Sequence, residues 1–442
     1  MEVTRRTVAV AIVATIACLA ARVPAAMAAP PASQPQPIIF AWNRLVLELV
    51  RHTPTYSPPV ASRALAYLGV TAFEAIAGGS AGLRSLAGQL NGLQPVPARE
   101  NGAAYADAVV VQAAMAHAVR ELFSNTGPTG LRALKLVERN LHLAAASGVA
   151  EDVAGRSTAY GRAVAEHILA WSRTDGGATI ENMGFPYEYK LTEGPAHWVP
   201  TSLVAQQQLP LLPDWGKVRP FAMPSGAACG IPPPLEYSEE ETSPFYREAL
   251  EVHDAVKGLT PEQRAIARFW SDDPMLSPTP PGHWISIALQ VLEGEGADAE
   301  TTVDVLARLG IAMADAFIGC WDAKFRYDLV RPLTYIRRVI DPKWEALLNT
   351  PPFPEYPSGH STQSGAAATV LTDLFGTDYA FEDATHSADG LKPRSFPSFW
   401  AAAEEAGISR LYGGIHFRDA IERGLDQGRC IGAYVNALDT RK

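Results

Sequence analysis

An all-α fold is what this sequence predicts, and three observations predict it. Apolar residues recur at helical spacing through most of the chain, no stretch of useful length alternates as a half-buried strand does, and the periodic segments are divided by Gly, Pro and Asn. The periodicity lapses between 178 and 240, where Pro, Gly and aromatic residues dominate. The chain therefore divides into a leader over 1–28, a helical bundle over 29–177, a connector over 178–240 and a second helical unit over 241–442.

The leader has the three parts of an export signal. Arg5 and Arg6 precede an apolar run from Val8 to Ala20, and Ala26-Met27-Ala28 gives a small-x-small cleavage site, so export to a periplasm or the medium is expected. The paired arginines leave the route open, because no full twin-arginine motif follows them. Residues 29–37 are a Pro/Ala/Gln-rich lead-in. From Ile38 to Val50, Ile38, Ile39, Trp42, Leu45, Val46 and Leu49 recur at helical spacing, and 60–77, 103–123, 129–146 and 150–173 repeat the pattern. His52, His117, His142 and His167 lie in or beside these segments without metal-type spacing and read as packing or surface residues.

The connector carries GFPYEYK, HWVPTS, LLPDWGKVRPF and GIPPP. A stretch this long without periodicity is unusual in a compact domain and reads as a lid, a channel wall or a draped loop. Helical patterns resume at 241–256, 261–271, 283–293 and 300–327. Pro332 disfavours helical geometry at Arg331, which ends the last of these near Asp328 and aims Arg331 independently of Lys324. Gln363–Leu374 is amphipathic, 376–398 is a polar loop, and Trp400–Gly407 restarts a helix that Ser409 and Arg410 close. The final helix carries Gly424, Gly428 and Gly432 at a spacing of four, a one-face row that predicts close packing on a neighbour and so a fixed register for His416.

Composition narrows the function. The chain has 442 residues, 47% of them hydrophobic, enough for a large core. Its 37 basic and 47 acidic residues leave a net charge of −10 with no basic run, which argues against a nucleic acid or an anionic membrane as partner. Beyond the leader no run reaches about 18 apolar residues, so no membrane span is expected. Cys229, Cys320 and Cys430, an odd and sparse set, do not read as a disulfide framework or a metal site.

The chemistry concentrates in three blocks. In FPEYPSGHST, Pro357, Ser358 and Gly359 lead into His360 at the start of a helix. The free N–H groups and positive dipole end there favour an anion, and Gly359 would let backbone approach it. Upstream, WDAKFRYDLVRPL sets Lys324 seven residues before Arg331; downstream, SRLYGGIHFRD sets Arg410 six before His416. Three fixed cations, two histidines and a helix N-terminus suit a tetrahedral or trigonal-bipyramidal oxyanion, with Arg as a planar fork and Lys as a point charge. One histidine could bond to the central atom while the other exchanges protons.

Together, K-x6-RP, PSGH and SR-x5-H resemble the signature shared by the vanadium-dependent haloperoxidases and the type 2 phosphatidic-acid phosphatases. The resemblance implies two helical bundles with the oxyanion site in the second. It implies vanadate held by Lys324, Arg331, Ser358, Gly359 and Arg410 with His416 as axial ligand, and phosphate able to occupy the same site. Hydrogen peroxide, a halide and a small organic substrate would be the partners: His360 manages the peroxide proton, Lys324 polarises the bound peroxide, and a hypohalous-acid equivalent halogenates the substrate. Trp321 and Phe353 match the aromatic residues beside the halide in the chloroperoxidase type, and point to bromide or chloride over iodide alone. ARFWSDDP resembles the segment whose acidic residue supports the catalytic histidine, which assigns Asp273 to His360. Many relatives carry Asp four residues after the second histidine; here Ala420 stands there and Asp419 is one residue early, which leaves the partner that orients His416 open, a backbone carbonyl being able to replace the Asp. Two other readings use the same residues, a soluble acid phosphatase working through a phosphohistidine at His416 and an exported oxyanion-binding protein without turnover. The sequence leaves the oligomeric state open.

Overall fold

The periodic segments fold as helices, beginning with α1 (Gln36–Arg51), α2 (Pro58–Ala77), α3 (Asp107–Leu122), α4 (Pro128–Ala146), α5 (Glu151–Ser172) and α6 (Gly177–Met183). The second half continues with α7 (Pro244–Lys257), α8 (Pro261–Phe269), α9 (Thr279–Gly294), α10 (Ala299–Tyr327), α11 (Pro332–Val339), α12 (Gly359–Phe375), α13 (Phe399–Tyr412) and α14 (Arg418–Asn436). The computed structural model describes residues 34–183, 186, 188–202 and 208–442, so the leader predicted over 1–28 lies outside the described residues. Two short strands depart from the all-helical expectation: β1 (Phe381–Asp383) pairs antiparallel with β2 (Arg394–Phe396) inside the polar loop. Helices α6 and α11 were not legible as periodic segments, being only seven and eight residues long.

Local chemistry sets several helix starts. Pro stands in the first turn of α2, α4, α7, α8 and α11, where its missing N–H is not needed. Thr260 and Gln263 form a reciprocal capping box on α8. Asp298 caps α10 by accepting the Thr301 N–H at 2.8 Å.

The 29-residue α10 is the axis of the molecule and is buried along most of its length. It lies so close to α2 that a Cβ on Gly69 would stand 3.0 Å from Ala307 Cα, and one on Gly310 3.0 Å from Ala66 Cα. The apolar core does not break at the connector: one cluster runs from Ile38 of α1 to Val435 of α14. Helix α2 is long and apolar enough to cross a membrane by length and composition alone, but here it is buried inside this core. A smaller cluster that includes Phe245, Tyr335, Trp344 and Phe417 lies beneath the second half.

The connector is strapped to α10. Trp198, Trp215, Phe221 and Met223 are buried, and the buried Asp315 carboxylate on α10 accepts the N–H groups of Phe221, Ala222 and Met223 at 2.6, 2.8 and 2.9 Å. Burial pushes Asp315 up to about 6, against the pull of those three donors. A disulfide joins Cys229 of the connector to Cys430 of α14, which corrects the expectation drawn from the cysteine count. The partners are 201 residues apart, so their spacing carried no signal. Cys320 is free and buried.

The glycine row on α14 packs on α12 as its spacing predicts. A Cβ on Gly424 would stand 2.7 Å from Ser361 Cβ, one on Gly428 2.2 Å from the Thr362 carbonyl oxygen, and one on Gly432 2.5 Å from Thr369 Cβ. Gly428→Ala is therefore expected to cost about 1–3 kcal/mol of stability by overpacking. Gly155→Ala, on α5 with nothing within 4 Å of the added methyl, should instead add up to about 1 kcal/mol through helix propensity. Denaturant unfolding of the two variants beside the parent checks both signs.

Candidate active site

Three segments converge on the N-terminus of α12. Ser358 is its N-cap, with Oγ accepting the Ser361 N–H at 3.3 Å, which leaves the N–H groups of Gly359 and His360 without intrahelical acceptors. The Ser358 N–H donates to the Ala420 carbonyl at 2.9 Å, so α14 holds the cap in place. Gln427 extends that tie: Oε1 accepts the Thr362 hydroxyl at 3.2 Å, and Nε2 donates to the Gly319 and Cys229 carbonyls, each at 3.2 Å. A Cβ on Gly359 would stand 3.7 Å from Trp321, an ordinary contact, and so faces the aromatic side rather than the cap.

The cations come from helix ends and are fully dehydrated: Lys324 and Arg331 expose 0% and Arg410 1% of their surface. Lys324, in the last turn of α10, donates to the carbonyls of Pro354, Glu355 and Pro357 at 2.9, 2.9 and 2.5 Å. Burial pushes its pKa down to about 7, with Arg331 adding to the effect. Three acceptors around one nitrogen call for three N–H donors, which only the ammonium has, so these carbonyls favour the charged form. Lys324 therefore acts on the cap by charge, and direct contact with a ligand requires one of the three bonds to exchange.

Arg331 is the N-cap residue of α11, placed outside the helix as Pro332 dictates. Its Nε donates to the Phe353 carbonyl and its Nη1 to the Ile415 carbonyl, each at 2.9 Å. Nη2 is buried with no partner among the described residues. Arg410, near the end of α13, donates to the Trp270 carbonyl and, through Nε, to Ser409 Oγ at 2.9 Å. Desolvation lowers both guanidinium groups to about 10 and still leaves them charged.

The two histidines face this charge differently. His416 Nδ1 lies 2.8 Å from Glu355 Oε1, which also accepts the Phe417 N–H at 2.9 Å. Nε2 lies 3.2 Å from Arg331 Nη1. A guanidinium can only donate, so Nε2 is the acceptor and the proton sits on Nδ1; this tautomer is inferred from the partners. Burial, Arg331 and Lys324 hold His416 well below the ordinary imidazole range, so the ring is neutral. Burial pushes Glu355 up to about 8, while Arg331 and Lys324 pull it back. Thus a carboxylate orients His416, the partner that the sequence left open. Asp419, considered for that role, pairs with Arg423 at 3.2 Å.

His360 Nε2 is buried without a hydrogen-bond partner among the described residues. Burial and the Arg410 charge lower its pKa well below the ordinary value, opposed by Asp272. The expected hydrogen bond from Asp273 is not formed. Asp272, turned inward by a left-handed backbone (φ 48°), brings Oδ2 to 3.9 Å from His360 Nε2. Asp273 is half-buried and acts on Arg410 through its charge. Trp321 and Phe353 meet beside the cations, with ring centroids 4.8 Å apart and Lys324 Nζ 5.2 Å from the Phe353 ring.

Glu355 and Asp272 are the residues that sequence reasoning missed. A lone acidic residue among prolines, five positions before His360, was the available signal for Glu355. Nothing in the order Asp272-Asp273 shows which carboxylate turns inward.

The family model described as the VCPO second helical-bundle domain matches residues 304–441, which contain all three blocks. The vanadium chloroperoxidase of Curvularia inaequalis is 27% identical over 483 aligned positions, covering 86% of this chain and 78% of that protein. The crystal structure described as the first bacterial vanadium-dependent iodoperoxidase superimposes with a TM-score of 0.84 and 38% identity, covering 93% of this chain and 98% of that one. A bacterial vanadium-dependent chloroperoxidase in its holo form has a TM-score of 0.69 at 18% identity, over 88% and 94% of the two chains, a likeness of fold.

If Glu355 fixes the His416 tautomer, Glu355→Ala should weaken vanadate retention by about 10–100-fold, the usual cost of losing a residue that orients a metal ligand. Glu355→Gln, which keeps an acceptor, should lose less. Equilibrium dialysis against vanadate measures both, and affinity unchanged in Glu355→Ala would contradict the assignment.

Proposed function

This chain belongs to the vanadium-dependent haloperoxidases, and from that premise we propose that it oxidises a halide with hydrogen peroxide and delivers a hypohalous-acid equivalent to small organic substrates. The observation that carries the reading is His416 Nε2, fixed as a basic nitrogen by Glu355 and surrounded by three dehydrated cations. Buried cations with little compensating charge favour an anion strongly. The unpaired Arg331 Nη2 and His360 Nε2 offer further contacts at the same place. This donor set fits vanadate, and phosphate by the same geometry.

In this reading His416 Nε2 would hold the vanadate, Arg331, Arg410 and Lys324 would neutralise its negative charge, and Ser358 Oγ and the Gly359 N–H would add donors. Vanadate, when bound, supplies a Lewis acid that activates hydrogen peroxide toward halide without changing its own oxidation state. His360, neutral and unpaired at Nε2, accepts the proton of the incoming peroxide. Trp321 and Phe353 pack together beside Lys324, apolar surroundings in which the Lys324 charge would act on a halide at low dielectric. Iodide is the halide this reading favours, from the likeness to the bacterial iodoperoxidase. Export is part of the proposal: the leader pattern supports it, and so does the Cys229–Cys430 disulfide, a bond that persists in oxidising compartments.

The test is the mature chain loaded with orthovanadate and given peroxide, a halogen-accepting dye and iodide, bromide or chloride in parallel, beside vanadate-free chain with a chromogenic phosphate monoester. Vanadate-dependent halogenation is expected, with iodide fastest; ester hydrolysis without halogenation would make His416 a phosphorus nucleophile instead. His416→Ala should lose vanadate retention. His360→Ala should keep the anion and lose about 10²–10⁴-fold in turnover, the usual worth of general acid–base catalysis.

Oxyanion affinity should also depend on pH through Lys324. Its pKa without ligand is lowered to about 7, and a bound anion raises it. Affinity is therefore full below pH 7 and falls above it, by up to about tenfold per unit. Sulfate, whose charge is constant across this range, is the probe for calorimetry, and Lys324→Arg should flatten the slope.

A further inference from the structure

Behind His360 lies a second group of ionisable side chains, of which the oxyanion site meets only Asp272. Asp272 follows α8, His283 sits in the second turn of α9, and His386 lies in the loop between β1 and β2. They expose 3%, 0% and 5% of their surface, and one donor atom from each lies within 4.8 Å of the others. His283 Nδ1 is 3.0 Å from both Asp272 oxygens. His386 Nε2 is 3.3 Å from Asp272 Oδ1 but off the line of a hydrogen bond, and remains a buried nitrogen without a partner. Donors around a tetrahedral ion bound at about 2.1 Å stand about 3.4 Å apart, close to these spacings.

The far side of each imidazole is also prepared. His283 Nε2 is 2.7 Å from Asp383 Oδ2 and His386 Nδ1 is 3.3 Å from Asp389 Oδ2. A carboxylate on the second nitrogen sets the tautomer that turns the first nitrogen's lone pair toward a metal, and it raises the basicity of that ligand. Asp383 is itself tied by the Thr385 N–H at 2.9 Å, and Asp389 pairs with Arg51. With both rings neutral, Asp272 and Asp383 leave two negative charges in a space walled by Phe269 and Trp270, whose ring stacks on His283 at 4.5 Å. A dication neutralises that charge.

We propose that Asp272, His283 and His386 form a binding site for a divalent transition ion, with Zn²⁺ the best fit to two imidazoles and one carboxylate, separate from the oxyanion site and oriented by Asp383 and Asp389. A fourth position is open to water. The ion ties the stretch from α8 to α9 to the β1–β2 loop, which lies far along the chain. It also absorbs the negative charge of Asp272, which lies 3.9 Å from His360. The competing arrangement has no metal: His283 is then an imidazolium between Asp272 and Asp383, two carboxylates that raise its pKa to about 10 against the effect of burial.

The test uses the full chain without vanadate, so its outcome is independent of the haloperoxidase reading. Protein is dialysed against chelator, titrated with Zn²⁺ or Co²⁺ by calorimetry, and assayed for retained metal by mass spectrometry. One equivalent per chain is expected, with the visible bands of low-symmetry Co²⁺. His386→Gln and His283→Gln should each weaken binding by about 100-fold or more, and Asp383→Asn by about 10–100-fold; circular dichroism checks that each variant folds. Wild-type chain that retains no stoichiometric ion, and shows a doubly protonated His283 by ¹⁵N shifts at pH 8, would overturn the proposal without reference to any variant. Binding of equal strength in His386→Gln would mean an adventitious ion only.

Discussion

The structure depends on holding three dehydrated cations at one helix end. Removing an ion from water costs several kcal/mol even after relaxation. Lys324, Arg331 and Arg410 are supported mainly by main-chain carbonyls, those of Phe353, Pro354, Glu355, Pro357, Ile415 and Trp270. Carbonyl dipoles stabilise a cation without cancelling its charge. Among the described residues Glu355 is the one carboxylate hydrogen-bonded within this group, and it is committed to His416 and the Phe417 N–H. The positive field therefore survives folding and remains available to a ligand, while the donors are fixed in advance.

That requirement explains why the acceptors lie in loops. Carbonyls inside a helix already accept bonds, so free ones must come from irregular backbone. The stretch from Phe353 to Pro357 supplies four of them, with prolines that have no N–H to satisfy. The same stretch delivers Ser358 and His360 to the start of α12. Close helix contacts keep this loop in register: α14 lies on α12 through its glycine row, and the Ala420 carbonyl takes the Ser358 N–H. The anchor of His416 and the cap that carries His360 thereby belong to one packed unit. Gln427 extends that unit to α10 and, through the Cys229 carbonyl, to the disulfide-tied connector.

Much of this was legible in the residues. Helical periodicity gave α1 to α5 and most of the second half, because burial of one face imposes its period on the chain. Lys324, Arg331, Ser358, His360, Arg410 and His416 stood out because an oxyanion site needs particular donor types at helix ends, and those leave short local spacings. The glycine spacing on α14 was equally informative, since close helix contact repeats every turn.

What escaped the sequence has a common physical cause. Glu355 against Ala420, Asp272 against Asp273, the Cys229–Cys430 pairing, and the meeting of His283 with His386 are matters of direction or of long-range contact. A one-residue shift turns a side chain to another face, and two segments separated by about a hundred residues meet only when the core closes around α10. By itself, the sequence determined the helical class, the ionic character of the site and the residues that supply its charge. Tertiary packing alone decided which carboxylate orients His416 and which one lies beside His360, because that choice rests on backbone direction and burial, quantities that no local pattern of residues encodes.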